Sequence, residues 1–227
     1  MSRPEAATGG RADKFYSSSE AASYSQSNRL RRVQLSLGKR SLELLQLTTN
    51  SCYLLDIGCG TGISGVPLSR AGHMWVGTDI STAMLDVAVA ERGPRGTDVM
   101  VSDMGHGLPF RDHSFDGAIS VSAIQWLCYE AKHHKKTPRD RLRAFFKDLR
   151  KLLRPGARAV LQFYPEQPED ATQICDAAIH CGFSGGVVVD YPGDLNAKKY
   201  YLVVESLPKE AWTKIIKAVE EAKKDER

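Results

Sequence analysis

Apolar and polar positions follow two rhythms along this chain. Tyr53 to Ile57, Met74 to Thr78, Asp98 to Val101, Gly117 to Ser122 and Arg158 to Gln162 are short, mostly apolar runs, as expected of strands buried on both faces of a parallel sheet. Between them the period lengthens. Ala83 to Glu91 reads as a helix, and Leu142, Phe145, Phe146, Leu149, Leu152 and Leu153 recur at the spacing of a helix laid on the sheet by one face. Leu30, Val33, Leu37, Leu44 and Leu45 predict an amphipathic helix before the first strand, with Gly38 a weak point in it. Asp170 to Cys181 reads as another helix. Val187 to Asp190 and Tyr200 to Val204 flank the turn Pro192-Gly193-Asp194 and read as a terminal antiparallel hairpin. The alternation implies an α/β fold, an open, mostly parallel, twisted sheet of about seven strands with helices on both faces. Residues 1–13 are expected to be a disordered lead and 14–50 a helical lid. The main domain then spans 51–205, and a charged helix striped by Trp212, Ile215, Ile216 and Val219 fills 206–227.

The first strand runs into three glycines at alternate positions, in Asp56-Ile57-Gly58-Cys59-Gly60-Thr61-Gly62. Such residues let the backbone turn tightly and approach a ligand with no Cβ in the way. A helix starting near Ile63 would turn free N–H groups toward a bound anionic group. A dinucleotide fingerprint needs a small residue where Ile63 stands, and there is no Gly-x-x-x-x-Gly-Lys-Ser/Thr phosphate loop. The second strand ends in Asp79, which can accept hydrogen bonds from both hydroxyls of a ribose or cap the next helix, a task Ser81 can also perform. Farther on, Asp103 can accept from an adenine amino group while Met104 packs on the ring; Asp103 equally suits a turn before Gly105. Leu108-Pro109-Phe110 and Phe115-Asp116 lead into the fourth strand.

This order resembles the class I S-adenosylmethionine-dependent methyltransferases, with a Rossmann-like fold. The resemblance implies S-adenosyl-L-methionine as cofactor, its sulfonium lying beside the carboxyl ends of the central strands. It assigns to the cofactor Asp56, Gly58, Cys59, Gly60, Gly62, Asp79, Ile80, Asp103, Met104, Ser120 and Val121. Tyr24, Asn28 and Arg29 would fold over it from the lid.

The resemblance narrows after the fourth strand. Tyr53 to Gly62, Ser122-Ala123-Ile124-Gln125-Trp126-Leu127-Cys128 and the run Gly182 to Pro192 are similar to the eukaryotic 18S ribosomal RNA (guanine-N7) methyltransferases. Tyr164-Pro165-Glu166 and Lys198-Lys199-Tyr200-Tyr201-Leu202 match that family too, so the likeness spans residues 14–204. It implies strand order 3-2-1-4-5-7-6 and methyl transfer to one guanine N7 during pre-40S maturation. It also implies a heterodimer with a small zinc-ribbon activator that carries the zinc, and residence in nucleus and cytoplasm. The strand at 98–101 would lie on an edge, where an open ladder can recruit a partner. Guanine N7 offers an in-plane lone pair, so this reaction needs no general base, and no obvious catalytic His or Cys stands out. Gln125 is placed to bond the guanine edge, and Trp126 or Tyr164 to stack on its face; Trp126 equally suits a core, and Tyr164 a cap on the fifth strand. Family members usually run on into a Lys/Arg-rich tail, whereas this chain stops in Lys223-Lys224-Asp225-Glu226-Arg227.

Composition changes this picture little. The 227 residues, 42% of them hydrophobic, suit one well-buried domain. Five cysteines without a Cys-x-x-Cys pair point to reduced thiols in an intracellular protein, and scattered histidines to no metal. No apolar run approaches the ~20 residues of a bilayer span, so no membrane partner is expected. The net charge of +4 is uneven: Arg29, Arg31, Arg32, Lys39 and Arg40 form one basic cluster, and Lys132 to Arg154 holds ten lysines and arginines against two acids. Such clusters suit a phosphate backbone, or are simply the solvated outer faces of helices. Two other functions share the motifs: a small-molecule methyltransferase, which would need a larger apolar acceptor pocket, and a non-catalytic ribosome assembly factor.

Overall fold

The strands expected from the apolar runs assemble into one seven-stranded sheet, in the order β3-β2-β1-β4-β5-β7-β6. In the computed structural model the described residues are 11–92, 98–129, 136–194, 197–208 and 211. The first ten residues, most of the basic run before Lys136 with His133 and His134, and nearly all of the expected terminal helix lie outside them. The strands are β1 (Tyr53–Ile57), β2 (Met74–Asp79), β3 (Asp98–Val101), β4 (Phe115–Val121), β5 (Leu153–Phe163), β6 (Phe183–Asp190) and β7 (Lys199–Ser206). β7 runs antiparallel to both β5 and β6, and the other pairings are parallel.

Side-chain alternation divides the core between the two faces. Leu55, Ile57 and Ala118 point to one face, with Phe145, Phe146 and Leu149 of α6 (Pro138–Leu152) and Ile174 of α7 (Pro168–His180). Leu54, Ile119 and Val160 point to the other, with Leu37 and Leu45 of α3 (Asn28–Leu45) and Leu68 of α4 (Val66–Arg70). The predicted stripe from Leu142 to Leu153 is buried throughout. Truncating either Phe145 or Phe146 to alanine would cost about 3–5 kcal/mol.

Two expectations need correction. Gly38 does not weaken α3, which runs through it unbroken. A Cβ there would lie 2.6 Å from the Ser64 carbonyl oxygen, so this glycine lets the helix cross close over the loop after β1. The helix expected from Ile63 is a 3-10 turn, Ile63–Gly65, followed by only five α-helical residues with Pro67 in the first turn. Two further helices, α1 (Ala12–Phe15) and α2 (Ser18–Gln26), precede α3, and α5 (Thr82–Arg92) joins β2 to the β3 edge.

Candidate active site

A cavity of about 740 Å³ opens over the carboxyl ends of β1, β2 and β4, the place where sheets of this kind bind ligands. Its floor is the glycine loop. Gly58 and Gly60 have φ of +70° and +53°, and a Cβ on Gly58 would fall 2.3 Å from that of Ala123. The Gly58 and Cys59 N–H groups donate to the Thr78 carbonyl at 2.7 and 2.9 Å, tying the loop to the end of β2. The next donor, Gly60 N–H, meets Asp79 Oδ2 at 2.8 Å, and Ser81 N–H meets Oδ1 at 2.8 Å. Asp79 is thus fixed by backbone alone, and both carboxylate oxygens keep lone-pair capacity for ligand hydroxyls. Burial raises its pKa, opposed by the N–H groups of Ser81, Gly60 and Ile80.

The far wall carries Asp103 and Met104. Asp103 accepts from Gly105 N–H at 2.8 Å and contacts the His106 ring at 2.6 Å. At the end of β4, Ser122 lines the cavity with φ of +57°, an uncommon conformation for a residue with a side chain. Three contacts fasten it: its N–H donates to the Gln162 carbonyl at 3.0 Å, its hydroxyl to Gln162 Oε1 at 2.8 Å, and Gln125 Nε2 donates to its carbonyl at 2.9 Å. Strain held this firmly is typical of functional sites.

The roof comes from the N-terminal helices. Tyr16 and Tyr24 reach the cavity beside Trp126. The Tyr16 ring meets Trp126 at 6.0 Å and Tyr24 at 6.3 Å, both edge to face, and Phe15 lies 6.1 Å from Trp126. The Ser81 hydroxyl donates to the Tyr16 carbonyl at 2.7 Å, pinning the roof two residues beyond Asp79. Burial pushes the Tyr24 hydroxyl pKa well up, with Tyr164 and Asp79 adding to it, so Tyr24 stays a neutral donor.

Gly58, Cys59, Gly60, Asp79, Ile80, Asp103, Met104, Val121, Tyr24 and Trp126 all line the cavity, as expected of site residues. Seven others do not. Asp56 is fully buried beneath the loop, where it accepts from the Ser64 hydroxyl at 2.7 Å. Ser120 is equally buried and donates to the Ile57 carbonyl at 2.8 Å, bracing β1 against β4. Gly62, with φ of +72°, caps the 3-10 turn. Asn28 and Arg29 are both exposed on the first turn of α3. The Gln125 amide turns back on its own chain, with Oε1 buried and unpartnered. Tyr164 is half-buried beyond the cavity, with the Lys199 ammonium 5.4 Å from its ring. Sequence reasoning missed Tyr16, Gln34, Ser122, His106, Lys136 and Arg141, which also line the cavity. The motif at 122–128 contained Ser122, and the basic run 132–154 contained Lys136 and Arg141, without placing any of them in a cavity.

These features fit an adenosyl sulfonium donor. Two carboxylates stand at the ends of adjacent strands, Ile80, Met104 and Leu127 supply apolar surface, and a floor without Cβ atoms admits close approach. Among the described residues, no three His, Cys, Asp or Glu side chains gather as a metal cradle.

Comparison with known proteins agrees with this geometry. Residues 55–161 match the methyltransferase-domain family. The chain is 49% identical over 207 residues to the 18S rRNA (guanine-N7)-methyltransferase of Mus musculus, covering 91% of this chain and 72% of that protein. It is 46% identical over 193 residues to the 18S rRNA (guanine(1575)-N7)-methyltransferase of Saccharomyces cerevisiae, covering 85% of this chain and 68% of that protein. Among solved structures, a Haloferax volcanii methyltransferase in complex with the Trm112 methyltransferase activator shares the fold. Its TM-score is 0.59 at 17% identity, over 83% of this chain and 98% of that one.

Proposed function

The chain belongs to the 18S rRNA (guanine-N7)-methyltransferase family, and from that premise we propose that it methylates N7 of one guanine in 18S rRNA during small-subunit maturation. The target is then the counterpart of the guanine for which the yeast relative is named. The observation that carries the reading is Asp79, locked by two backbone N–H groups at the carboxyl end of β2 with lone pairs left for a ribose.

S-Adenosyl-L-methionine, when bound, supplies an electrophilic methyl group on sulfur. Asp79 would hold its ribose hydroxyls and Asp103 its adenine amino group, while Ile80 and Met104 pack on the base. Guanine N7 attacks through its in-plane lone pair, so the chain has no proton to remove and needs no general base. What it contributes is alignment of N7 with the methyl carbon, an effect that can supply about 7–11 kcal/mol. Trp126, held by Tyr16 and Phe15, would close the reaction space against water, and Tyr164 under Lys199 would receive the flipped base or its neighbour. Gln125 acts in this scheme chiefly by holding the Ser122 turn, with its free Oε1 available to a guanine N–H once the acceptor enters.

We further infer a small zinc-ribbon activator seated on the β3 edge, and work in both nucleus and cytoplasm. The edge reading is supported by Val101, 54% exposed on β3, and by the Haloferax complex, which pairs this fold with an activator. The direct test is transfer of labelled methyl from S-adenosylmethionine to 18S rRNA by the full chain co-purified with the activator. Label at guanine N7 is expected; transfer to small molecules alone would replace this function with the small-molecule one.

A further inference from the structure

Arg141 is the charged side chain that the cavity leaves unexplained. Its charge groups it with the basic run 132–154, whose Arg139 and Lys147 are exposed, but its spacing to Phe145, Leu149 and Leu152 places it at the edge of the buried side of α6. Arg141 itself is only 4% exposed and lines the cavity. One terminal nitrogen donates to the Tyr129 carbonyl, while its Nε–H is buried with no hydrogen-bond partner. None of the ion pairs among the described residues includes it. The other buried or half-buried wall charges have partners: Asp79 has the loop N–H groups, Asp103 has Gly105 and His106, and Arg11 has Asp13.

A buried cation without an ion-pair partner is unfavourable in the empty protein and is stabilised when a ligand in the cavity supplies an acceptor to its guanidinium. Arg141 stands on the base side of the cavity, close enough to Asp103 to interact electrostatically with it, and Leu127 and Met104 line the same space. A carboxylate and an N–H donor together match the edge of adenine, which offers an amino donor next to a ring-nitrogen acceptor. We propose that Arg141 is a further cofactor-binding residue, its guanidinium donating to an adenine ring nitrogen while Asp103 accepts from the exocyclic amine. This rests on the reading of the cavity as an S-adenosylmethionine site.

Calorimetry with S-adenosylhomocysteine on the full chain tests it, using wild type, Arg141→Met and Arg141→Lys, each with the parent ligand and its 1-deaza and 7-deaza analogues. Both variants should bind the parent at least ten-fold more weakly. One analogue should be penalised by wild type and not by the variants, because the lost nitrogen is the one Arg141 serves. Thermal melting of the unliganded proteins identifies which variants fold, and Arg141→Lys carries the comparison if Arg141→Met does not. Wild-type affinity in a folded variant, or an analogue penalty that persists there, would reduce Arg141 to a brace for Tyr129 and overturn the proposal. Failure of wild type itself to bind the parent ligand would instead sink the reading of the cavity.

Discussion

The floor and the roof of the cavity are built by different means. The floor is backbone: Gly58 and Gly60 turn at positive φ, and residues 58–60 deliver N–H groups to Thr78 and Asp79 within a short stretch of chain. The roof is side chain: Phe15, Tyr16 and Tyr24 arrive from the N-terminus to meet Trp126, through ring contacts worth about 0.5–1.5 kcal/mol each beyond their burial. A floor of that kind tolerates almost no substitution. The roof rests on ring contacts of that modest size and on one hydrogen bond, from the Ser81 hydroxyl to the Tyr16 carbonyl.

The sharpest way to break the contrast is at Gly58. Gly58→Ala forces a side chain into the left-handed region and drives its Cβ against that of Ala123, a backbone-mounted neighbour that cannot swing aside. Strain of about 1–3 kcal/mol and overpacking of a similar size should together remove about 2–6 kcal/mol of stability, read by denaturant unfolding. Asp79→Ala comes next. Losing charge-assisted bonds to two ribose hydroxyls, about 1.5–3 kcal/mol apiece, should weaken cofactor binding on the order of 10²-fold or more by calorimetry.

Asp79 also sets a pH signature. Its folded pKa is raised by burial, so it takes up a proton at higher pH than a free aspartate does. Cofactor affinity, which needs the carboxylate, should therefore fall as pH drops through that raised value, and the fall should vanish in Asp79→Asn. An unchanged slope in the variant would assign the titration to another group.

The roof predicts smaller, coupled effects. Tyr16→Ala and Trp126→Ala should each weaken cofactor retention, and their double mutant should show a coupling of about 1 kcal/mol. Strict additivity would mean that the two rings do not act as one latch. Smallest of all is Lys199→Ala, which removes the cation over Tyr164. That contact is worth about 0.5–1 kcal/mol, so transfer to RNA should slow about two- to five-fold with cofactor affinity unchanged.

The same contrast explains what could be read from the sequence. The strands and the acids Asp79 and Asp103 were legible because parallel strands write themselves as apolar runs and place their ligands at fixed ends, whereas the order of the strands came from the family resemblance. Gly58 and Gly60 were legible because only glycine fits such a turn. Asp56 and Ser120 were read one layer too shallow. Both are polar residues on site-bearing strands, yet strand alternation puts their side chains under the loop, onto Ser64 and Ile57. Tyr16 and Ser122 were out of reach, since one depends on a chain segment folding back across Ser81 and the other on a strained turn held by Gln162. Arg141 misled outright. Its charge put it with the basic run 132–154, although at i, i+4, i+8 and i+11 it shares the side of α6 that carries Phe145, Leu149 and Leu152.

The central claim is that this chain places a methyl group on guanine N7 of small-subunit RNA. Mapping N7-methylguanosine along 18S rRNA from cells with the protein, without it, and with only Asp79→Ala tests that most directly. One site should be fully modified in the first case and unmodified in the other two. Unchanged modification at every guanine in cells lacking the protein would contradict the account.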